Sequence, residues 1–305
     1  MKCHQCSNKS IIRLSNSEVS LCAKHFNIYF ERKVRRTIRT YHMVGKKDVI
    51  AVAVSGGKDS LSLLYILNKI FKPTKVKLIA LAIDEGIKGY RDSNFSYVKK
   101  FCKKLNIPLK TYSFKKEFGK TLDEVTEKDK KTIPCTYCGV FRRKILNEKA
   151  RELKVNKLAT GHNLDDESQS ILMNQFRKNI RASAILGPVT GVRDDPKFIR
   201  RIKPFYFITE KETTTFAYIN NILDKYIECP NAVYGYRRKV QEMLNEFENE
   251  QPGTKHNIIS SFLSVLPAIK QSCEASEIKR CGTCGAPCSK DICQACILLQ
   301  RVNSF

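Results

Sequence analysis

Apolar positions along the chain alternate between two periods. Val49-Ile50-Ala51-Val52-Ala53-Val54 is an unbroken apolar run of strand length, and Leu61 to Phe71 then repeats its apolar residues at helical spacing. Val76 to Ile83 is a second buried run that ends at Asp84-Glu85-Gly86. Tyr90 to Leu105 predicts a helix, Leu109 to Phe114 a third strand, and residues 138–153 a further helix. Lys157 to Thr160 reads as a short strand and Leu164 to Phe176 as a helix. Strands alternating with helices predict an α/β fold, a doubly wound parallel sheet covered on both faces. Upstream, Phe26, Phe30, Val34 and Ile38 have helical spacing inside the basic segment 26–47, which carries Arg32, Lys33, Arg35, Arg36 and Arg39. Downstream, residues 188–209 are loop-rich with short strand-like pieces. The chain is then mostly helical from Glu210 to about Leu266, and Cys281 to Cys296 forms a compact tail.

Length and composition narrow the class. The 305 residues are 42% hydrophobic, enough for one large α/β core with small attachments. No run approaches the roughly 18 to 20 apolar residues that a membrane span needs. The start Met1-Lys2-Cys3-His4 lacks the apolar stretch of a signal peptide, so a soluble cytoplasmic protein is expected. A net charge of +25, from 55 Lys+Arg against 30 Asp+Glu, is self-repelling and points to a polyanionic partner, with nucleic acid first. Thirteen cysteines, an odd number without an export signal, argue for metal or thiol chemistry over a disulfide framework.

Ligands of parallel sheets bind beyond the carboxyl ends of the strands. Ser55-Gly56-Gly57-Lys58-Asp59-Ser60 lies at such an end and opens a helix, as does Gly161-His162, and Asp84 ends a third strand. Glycines there let backbone N–H groups close on a phosphate, the helix dipole favours the negative charge, and Ser55, Ser60 and Lys58 add donors. Asp59 follows Lys58, so the loop is not a Walker A motif, which needs Ser or Thr there. Thr160-Gly161-His162-Asn163-Leu164-Asp165-Asp166-Glu167 places acids at a helix start. They serve either as favourable N-terminal charges or, beside a phosphate loop, as a hold on Mg²⁺.

The cysteines fall into three sets. Cys3-x2-Cys6-x15-Cys22-x2-His25 and Cys281-x2-Cys284-x8-Cys293-x2-Cys296 each have two chelating pairs, the spacing of a closed structural Zn²⁺ site. His4 rivals His25, and Cys288 is the spare thiol of the second loop. In the middle, Cys135 and Cys138 form a C-x-x-C pair, a metal edge or a redox pair, and Cys229 stands alone before Pro230. Three thiolates without a fourth fit a site with one open position, whereas Cys229 alone fits a buried structural thiol. The resulting division is a zinc finger over 1–26, a basic linker helix over 27–47 and a core over 48–209. A helical extension over 210–275 carries Cys229, and a second zinc finger spans 276–305.

The loop Ser55–Ser60 resembles that of the N-type, or PP-loop, ATP pyrophosphatases, which have a Rossmann-like core and adenylate an oxygen before a nucleophile displaces AMP. Residues 161–166 resemble the Gly-His-x-x-Asp-Asp motif of the same superfamily. Cys135, Cys138 and Cys229, with both zinc ends, resemble the TtuA/Ncs-type tRNA 2-thiouridine synthetases, and this resemblance spans essentially the whole chain. It implies ATP contact at Ala53, Val54, Ser55, Gly56, Gly57, Lys58, Asp59, Ser60, Ile83, Arg142, Gly161 and Asp166. It implies catalytic roles for Asp59, Asp166 and the three cysteines, a 4Fe–4S cluster on that trio, Mg²⁺ at the pyrophosphate, and a homodimer.

The expected activity is tRNA uridine 2-thiolation, probing the wobble position first, with sulfide or a thiocarboxylated ubiquitin-like protein as sulfur donor. Arg177, Lys178, Arg181, Arg200, Arg201, Arg237, Arg238 and Lys239 join the basic helix as candidates to follow the tRNA backbone. Three alternatives share these features. They are thiolation by cysteine persulfide without a cluster, lysidine synthesis, which does not need the three central cysteines, and a non-catalytic zinc-ribbon RNA-binding module.

Overall fold

Phe26, Phe30 and Val34 fall on one stripe of a helix and all three are fully buried. In the computed structural model they belong to α1 (Ala23–Thr40), which follows a hairpin of β1 (Ile12–Arg13) and β2 (Ser20–Leu21). The structure describes residues 1–305 except 16, 192–197, 224–228, 232–235, 274–278 and 305, and the side chains of 91–94.

The core then alternates as its sequence pattern predicts. It runs β3 (Val49–Ala53), α2 (Lys58–Phe71), β4 (Lys77–Asp84), α3 (Arg91–Leu105) and β5 (Leu109–Ser113). Three helices follow, α4 (Phe114–Phe118), α5 (Leu122–Lys128) and α6 (Pro134–Glu152), and the sheet resumes with β6 (Lys157–Ala159). After α7 (Leu164–Phe176) and α8 (Ile180–Ile185) comes β7 (Arg200–Ile202). The five strands pair in the order β5-β4-β3-β6-β7, all parallel. The chain winds outward from β3 to β5, then returns to the other side of β3 at β6. The connections after β3 and β6 therefore leave in opposite directions and open a crevice at their carboxyl ends.

Alternation along β3 divides the core between two layers. Ile50 and Val52 pack with Phe26, Phe30, Leu61, Leu64 and Phe101 on the side of α1, α2 and α3. Ala51 packs with Leu81, Ile83, Phe141 and Ile145 on the side of α6. The remaining elements are α9 (Glu210–Ile219), α10 (Tyr236–Glu250), α11 (Thr254–Cys273), β8 (Lys279–Arg280), β9 (Pro287–Cys288) and α12 (Gln294–Asn303). Tyr206, Ile259, Phe262 and Leu266 join α11 to Leu164 and Ile171 of α7. No helix among the described residues is long and apolar enough to cross a membrane.

Three boundaries differ from the hydrophobic pattern. Helix α6 starts at Pro134, not at 138, because proline at the first helical position has no N–H to leave unpaired. Cys135 and Cys138 therefore sit on its first turns. Phe114 is not the end of a strand but opens α4, where the Ser113 hydroxyl accepts the Lys116 N–H as a cap. The cysteine tail is not confined to its own loop, since Ala295, Leu298 and Val302 of α12 are buried with Phe141 and Ile145 of α6.

Phe30 ties α1 to the core. Its ring stacks on Phe216 of α9 at 4.0 Å and meets Phe205 edge-on at 5.4 Å. Truncation there removes both contacts in a fully buried site. Phe30→Ala is expected to destabilise the protein by about 3–5 kcal/mol, read as a lower urea midpoint in equilibrium unfolding.

Candidate active site

Gly57 is the non-helical cap of α2, and Gly56 has φ +87°, a conformation open to glycine at no steric cost. The Ser60 hydroxyl locks the loop from inside, donating to the Gly57 carbonyl at 3.0 Å and accepting the Ser55 N–H at 3.1 Å. Across the crevice, Gly161 approaches the first turn of α2 so closely that a β-carbon there would lie 3.0 Å from the Asp59 carbonyl carbon and the Ser60 nitrogen. The two motifs therefore build one wall.

Asp59 is held from three directions. Thr213 of α9 donates to its Oδ1 at 2.7 Å, Asn163 donates to the same oxygen at 3.3 Å, and Lys58 pairs with Oδ2 at 2.9 Å. Lys58 also pairs with Glu210 at 2.9 Å. Burial opposes its charge, but these two carboxylates outweigh that and push its pKa up. The sequence suggests Lys58 as a free charge at the loop; the structure instead commits it to Asp59 and Glu210.

Asp166 fills the first of the two roles that its position suggests, the helix-start charge. It is the third residue of a capping box, its backbone N–H bonding to the Asn163 side chain at 3.0 Å and its own carboxylate accepting the Asn163 N–H at 3.2 Å. Its other oxygen faces Arg237 at 3.3 Å. Desolvation in the crevice pushes its pKa up to about 6; Arg237 opposes the shift and the nearby Asp59 adds to it. Desolvation, together with Lys203 and Arg201, keeps the His162 imidazole in its neutral form. Its Nδ1 lies 2.9 Å from the Thr160 hydroxyl. Behind the wall, Lys203 pairs with Glu167 at 2.7 Å, and Lys255 pairs with Asp165.

A cleft of about 190 Å³ is lined by Ala53, Val54, Ser55, Asp59, Ser60, Ile83, Arg142, Gly161 and Asp166, together with Leu81, Glu85, Leu146, Thr160 and His162. Gly56, Gly57 and Lys58 shape the loop without lining it. Donors cluster at its α2 end and apolar groups at the β4 end, which suits a ligand with phosphates and a flat ring.

No cysteine lines this cleft, but Cys138 adjoins it through Arg142. Cys138 and Cys229 pack on the same apolar cluster as Phe141. Burial and the neighbouring Cys229 push the Cys135 thiol up, against Arg142. One helical turn after Cys138, Arg142 Nη2 donates to the Cys138 sulfur at 3.0 Å and pairs with the fully buried Glu85 at 2.8 Å. Burial opposes the Arg142 charge, and Glu85 and Cys138 outweigh it. Arg142 therefore belongs to both sites.

The end groups are tighter. Among the described residues, three or more donor atoms within 4.8 Å of one another occur only for Cys3, Cys6, Cys22 and His25 and for Cys281, Cys284, Cys293 and Cys296. Zn–S bonds of about 2.3 Å at tetrahedral angles give S···S edges of about 3.8 Å. The Cys6–Cys22 and Cys284–Cys293 separations are 3.8 and 3.7 Å. His25 turns its Nδ1 inward, 3.3 Å from Cys3 and 3.5 Å from Cys22, and His4 is not in the group. Cys288 also stands apart, donating to the Lys290 carbonyl at 2.8 Å.

Four contributors escape the sequence pattern. Thr213, Glu210, Asn163 and Glu85 reach the site through pairings across 154, 152, 104 and 57 positions respectively. The local signals are the Asn163–Asp166 capping box that starts α7 and the Thr209–Glu212 capping box that starts α9. Arg237, read from sequence as a backbone contact, lies instead against Asp166.

A glycine loop at the switch point of a five-stranded parallel sheet defines a PP-loop nucleotide-binding protein, and a family model described as the PP-loop domain matches residues 27–240. The chain is 34% identical over 320 residues to the tRNA 2-thiolation protein NcsA of Haloferax volcanii, covering 100% of both chains. It is 37% identical over 296 residues to the tRNA-5-methyluridine(54) 2-sulfurtransferase of Pyrococcus horikoshii, covering 97% of this chain and 93% of that one. A solved structure, the U34-tRNA thiolase NcsA from Methanococcus maripaludis with its 4Fe-4S cluster, matches with a TM-score of 0.84 at 33% identity, over 99% of this chain and 96% of that one. The chain belongs to the PP-loop family of tRNA 2-thiolation proteins.

A methyl group at position 161 would press on backbone atoms that cannot swing aside. Gly161→Ala is expected to displace the start of α2 and weaken ATP binding by roughly tenfold, equivalent to about 1.4 kcal/mol. Calorimetric titration with ATP checks this.

Proposed function

We propose that this chain is a cytoplasmic, ATP-dependent tRNA uridine 2-sulfurtransferase whose target is the wobble uridine. The observation that carries the reading is the shared Arg142, which touches Cys138 and lines the nucleotide cleft. In this reading it joins the sulfur-handling cysteines to the ATP site, as thiolation requires.

Neutral uridine is a poor electrophile at C2. Attack of its O2 on the α-phosphorus of ATP makes that oxygen part of a leaving group and expels pyrophosphate. Sulfur then attacks C2, and the C2–O2 bond breaks as AMP departs with the oxygen. Backbone N–H groups of 55–60 would hold the phosphates, and Asp59 and Asp166, which both line the cleft, would hold Mg²⁺. Ala53, Val54 and Ile83 would border the adenosine. Cys135, Cys138 and Cys229 are three soft donors that do not close to within 4.8 Å of one another as the end groups do, and they would hold a 4Fe–4S cluster. Such a cluster, with one iron not held by cysteine, supplies a place for sulfide before transfer.

The end groups would bind one Zn²⁺ each and hold small knuckles against the core. Arg32, Arg36 and Arg39 on α1, with Arg177, Lys178, Arg181, Arg238 and Lys239, are exposed and offer the tRNA phosphates a cationic surface. Sulfide or a thiocarboxylated ubiquitin-like protein would supply the sulfur, and the functional unit would be a homodimer.

Mass spectrometry of tRNA nucleosides tests the reading. Cells lacking the chain should lose 2-thiouridine derivatives at the wobble position, and Cys229→Ser should lower thiolation in vitro by roughly 100-fold or more. Unchanged 2-thiouridine in those cells would sink the proposal, and loss confined to position 54 would move the target.

The raised pKa of Asp166 sets a pH limb. The carboxylate needed for Mg²⁺ protonates as pH falls through about 6, so pyrophosphate release should decline there, with Mg²⁺ shifting the apparent midpoint lower. Asp166→Asn should lower the rate at every pH and abolish this limb in a stopped-assay pH profile.

A further inference from the structure

The Glu85–Arg142–Cys138 chain is more than a packing contact. Glu85 is fully buried at the end of β4 and lines the nucleotide cleft, where an ionised side chain needs a specific reason to be kept. Its Oε1 takes one N–H of Arg142 Nη2 at 2.8 Å, and the same nitrogen donates to the Cys138 sulfur at 3.0 Å. The carboxylate thereby fixes the direction of the second N–H. The guanidinium is planar, so fixing Nη2 also orients Nε and Nη1. Nε is buried and has no hydrogen-bond partner among the described residues. A cleft that receives phosphates would offer an acceptor to this orphan donor.

We propose that Glu85 is a positioning residue that holds the Arg142 guanidinium across the boundary between the nucleotide cleft and the cysteine site, so that occupancy of the cleft by ATP is felt at the Cys138 sulfur. The physical link is short. A hydrogen bond to a metal-ligating thiolate draws charge from the sulfur and makes the metal centre easier to reduce. A polyphosphate on the free face of the same guanidinium offsets its positive field and weakens that hydrogen bond. ATP binding therefore lowers the reduction potential of a cluster held by Cys138. Without the Glu85 carboxylate the guanidinium is not held against the sulfur, and this response goes.

The inference rests on the sulfurtransferase reading for its cluster, but its test needs neither tRNA nor turnover. The reduction potential of the cluster-loaded chain is measured with and without ATP, for the native chain, Glu85→Gln and Arg142→Lys. The native chain should shift to a more negative potential on ATP addition. Glu85→Gln should lose at least half of the ATP-induced shift. Arg142→Lys keeps the charge but not the fork and should behave alike. Circular dichroism and ATP titration verify that each variant is folded and occupied.

In the metal-free chain, the rate of Cys138 alkylation by iodoacetamide, read by peptide mass, should depend on ATP in the native chain and not in Glu85→Gln. This arm also answers the question if the chain proves to hold no cluster. A native chain without an ATP response, or a Glu85→Gln chain that keeps the full one, would overturn the proposal. Failure of thiolation alongside an intact response would instead count against the proposed function.

Discussion

The approach of Gly161 to the first turn of α2 is the constraint on which the architecture turns. A parallel sheet leaves a crevice where its winding reverses, but a crevice alone places nothing accurately. Here the backbone after β6 rests directly on the backbone of Asp59 and Ser60, with no room for even a methyl group between them. Because Gly161 fixes that separation, Asn163 reaches Asp59 at 3.3 Å while its side chain still caps α7. Thr213 completes the hold on Asp59 from α9, which is itself tied to α1 through Phe216 and Phe30 and through the Lys33–Glu212 pair at 2.8 Å. A contact in the nucleotide cleft is therefore continuous with the N-terminal cysteine knuckle.

Charge is distributed to the same end. Several of the acidic side chains are spent inside the protein. Glu167 is paired to Lys203, Asp165 to Lys255, Glu212 to Lys33, and Glu85 to Arg142. Each such pair is neutral with its carboxylate buried, which leaves the excess cation to the rest of the chain. The net charge of +25 is therefore carried by the remaining side chains, with fewer acids among them to offset it locally. Within the cleft the balance is different. Desolvation holds the Asp166 pKa up to about 6, Asp59 adds to that shift, and Arg237 offsets part of it.

What was legible in the sequence was whatever is local. The apolar run into Ser55–Ser60 carries the strand, turn and helix within itself, and β3 and α2 follow it closely. The two four-donor groups are likewise set by short chelating pairs, and the structure brings together the residues that spacing selects, with Cys288 left aside. Glu85 and Thr213 carry no such mark. Each reaches its partner only after the sheet has closed, and nothing in the neighbouring residues distinguishes them from ordinary helix or strand termini. Lys58 is a further case. Its place in the motif suggests a phosphate contact, and nothing near it foretells that Glu210, 152 residues downstream, also pairs with it. The early start of α6 was written in Pro134, but the apolar pattern, which begins only after the C-x-x-C pair, outweighed that single residue.

Helix α6 shows how the chain ends bear on the centre. Cys138 and Arg142 lie one turn apart, about 5–6 Å along the helix surface. One rigid element therefore sets the separation of the cysteine site from the nucleotide cleft. Its rigidity is not intrinsic, since its first two turns have Pro134, two cysteines and Gly139 and little helical propensity. Packing supplies it. Phe141 sits 4.6 Å from Phe118 and 5.8 Å from Phe114, Tyr137 donates to Asp129 at 2.7 Å, and α12 covers the outer face with Leu298 and Val302. Helix α12 begins at Cys293, whose sulfur caps it while belonging to the second four-donor group. The distal knuckle, the helix it starts and the helix that helix covers form one mechanical path, and it ends at the spacing between Cys138 and Arg142.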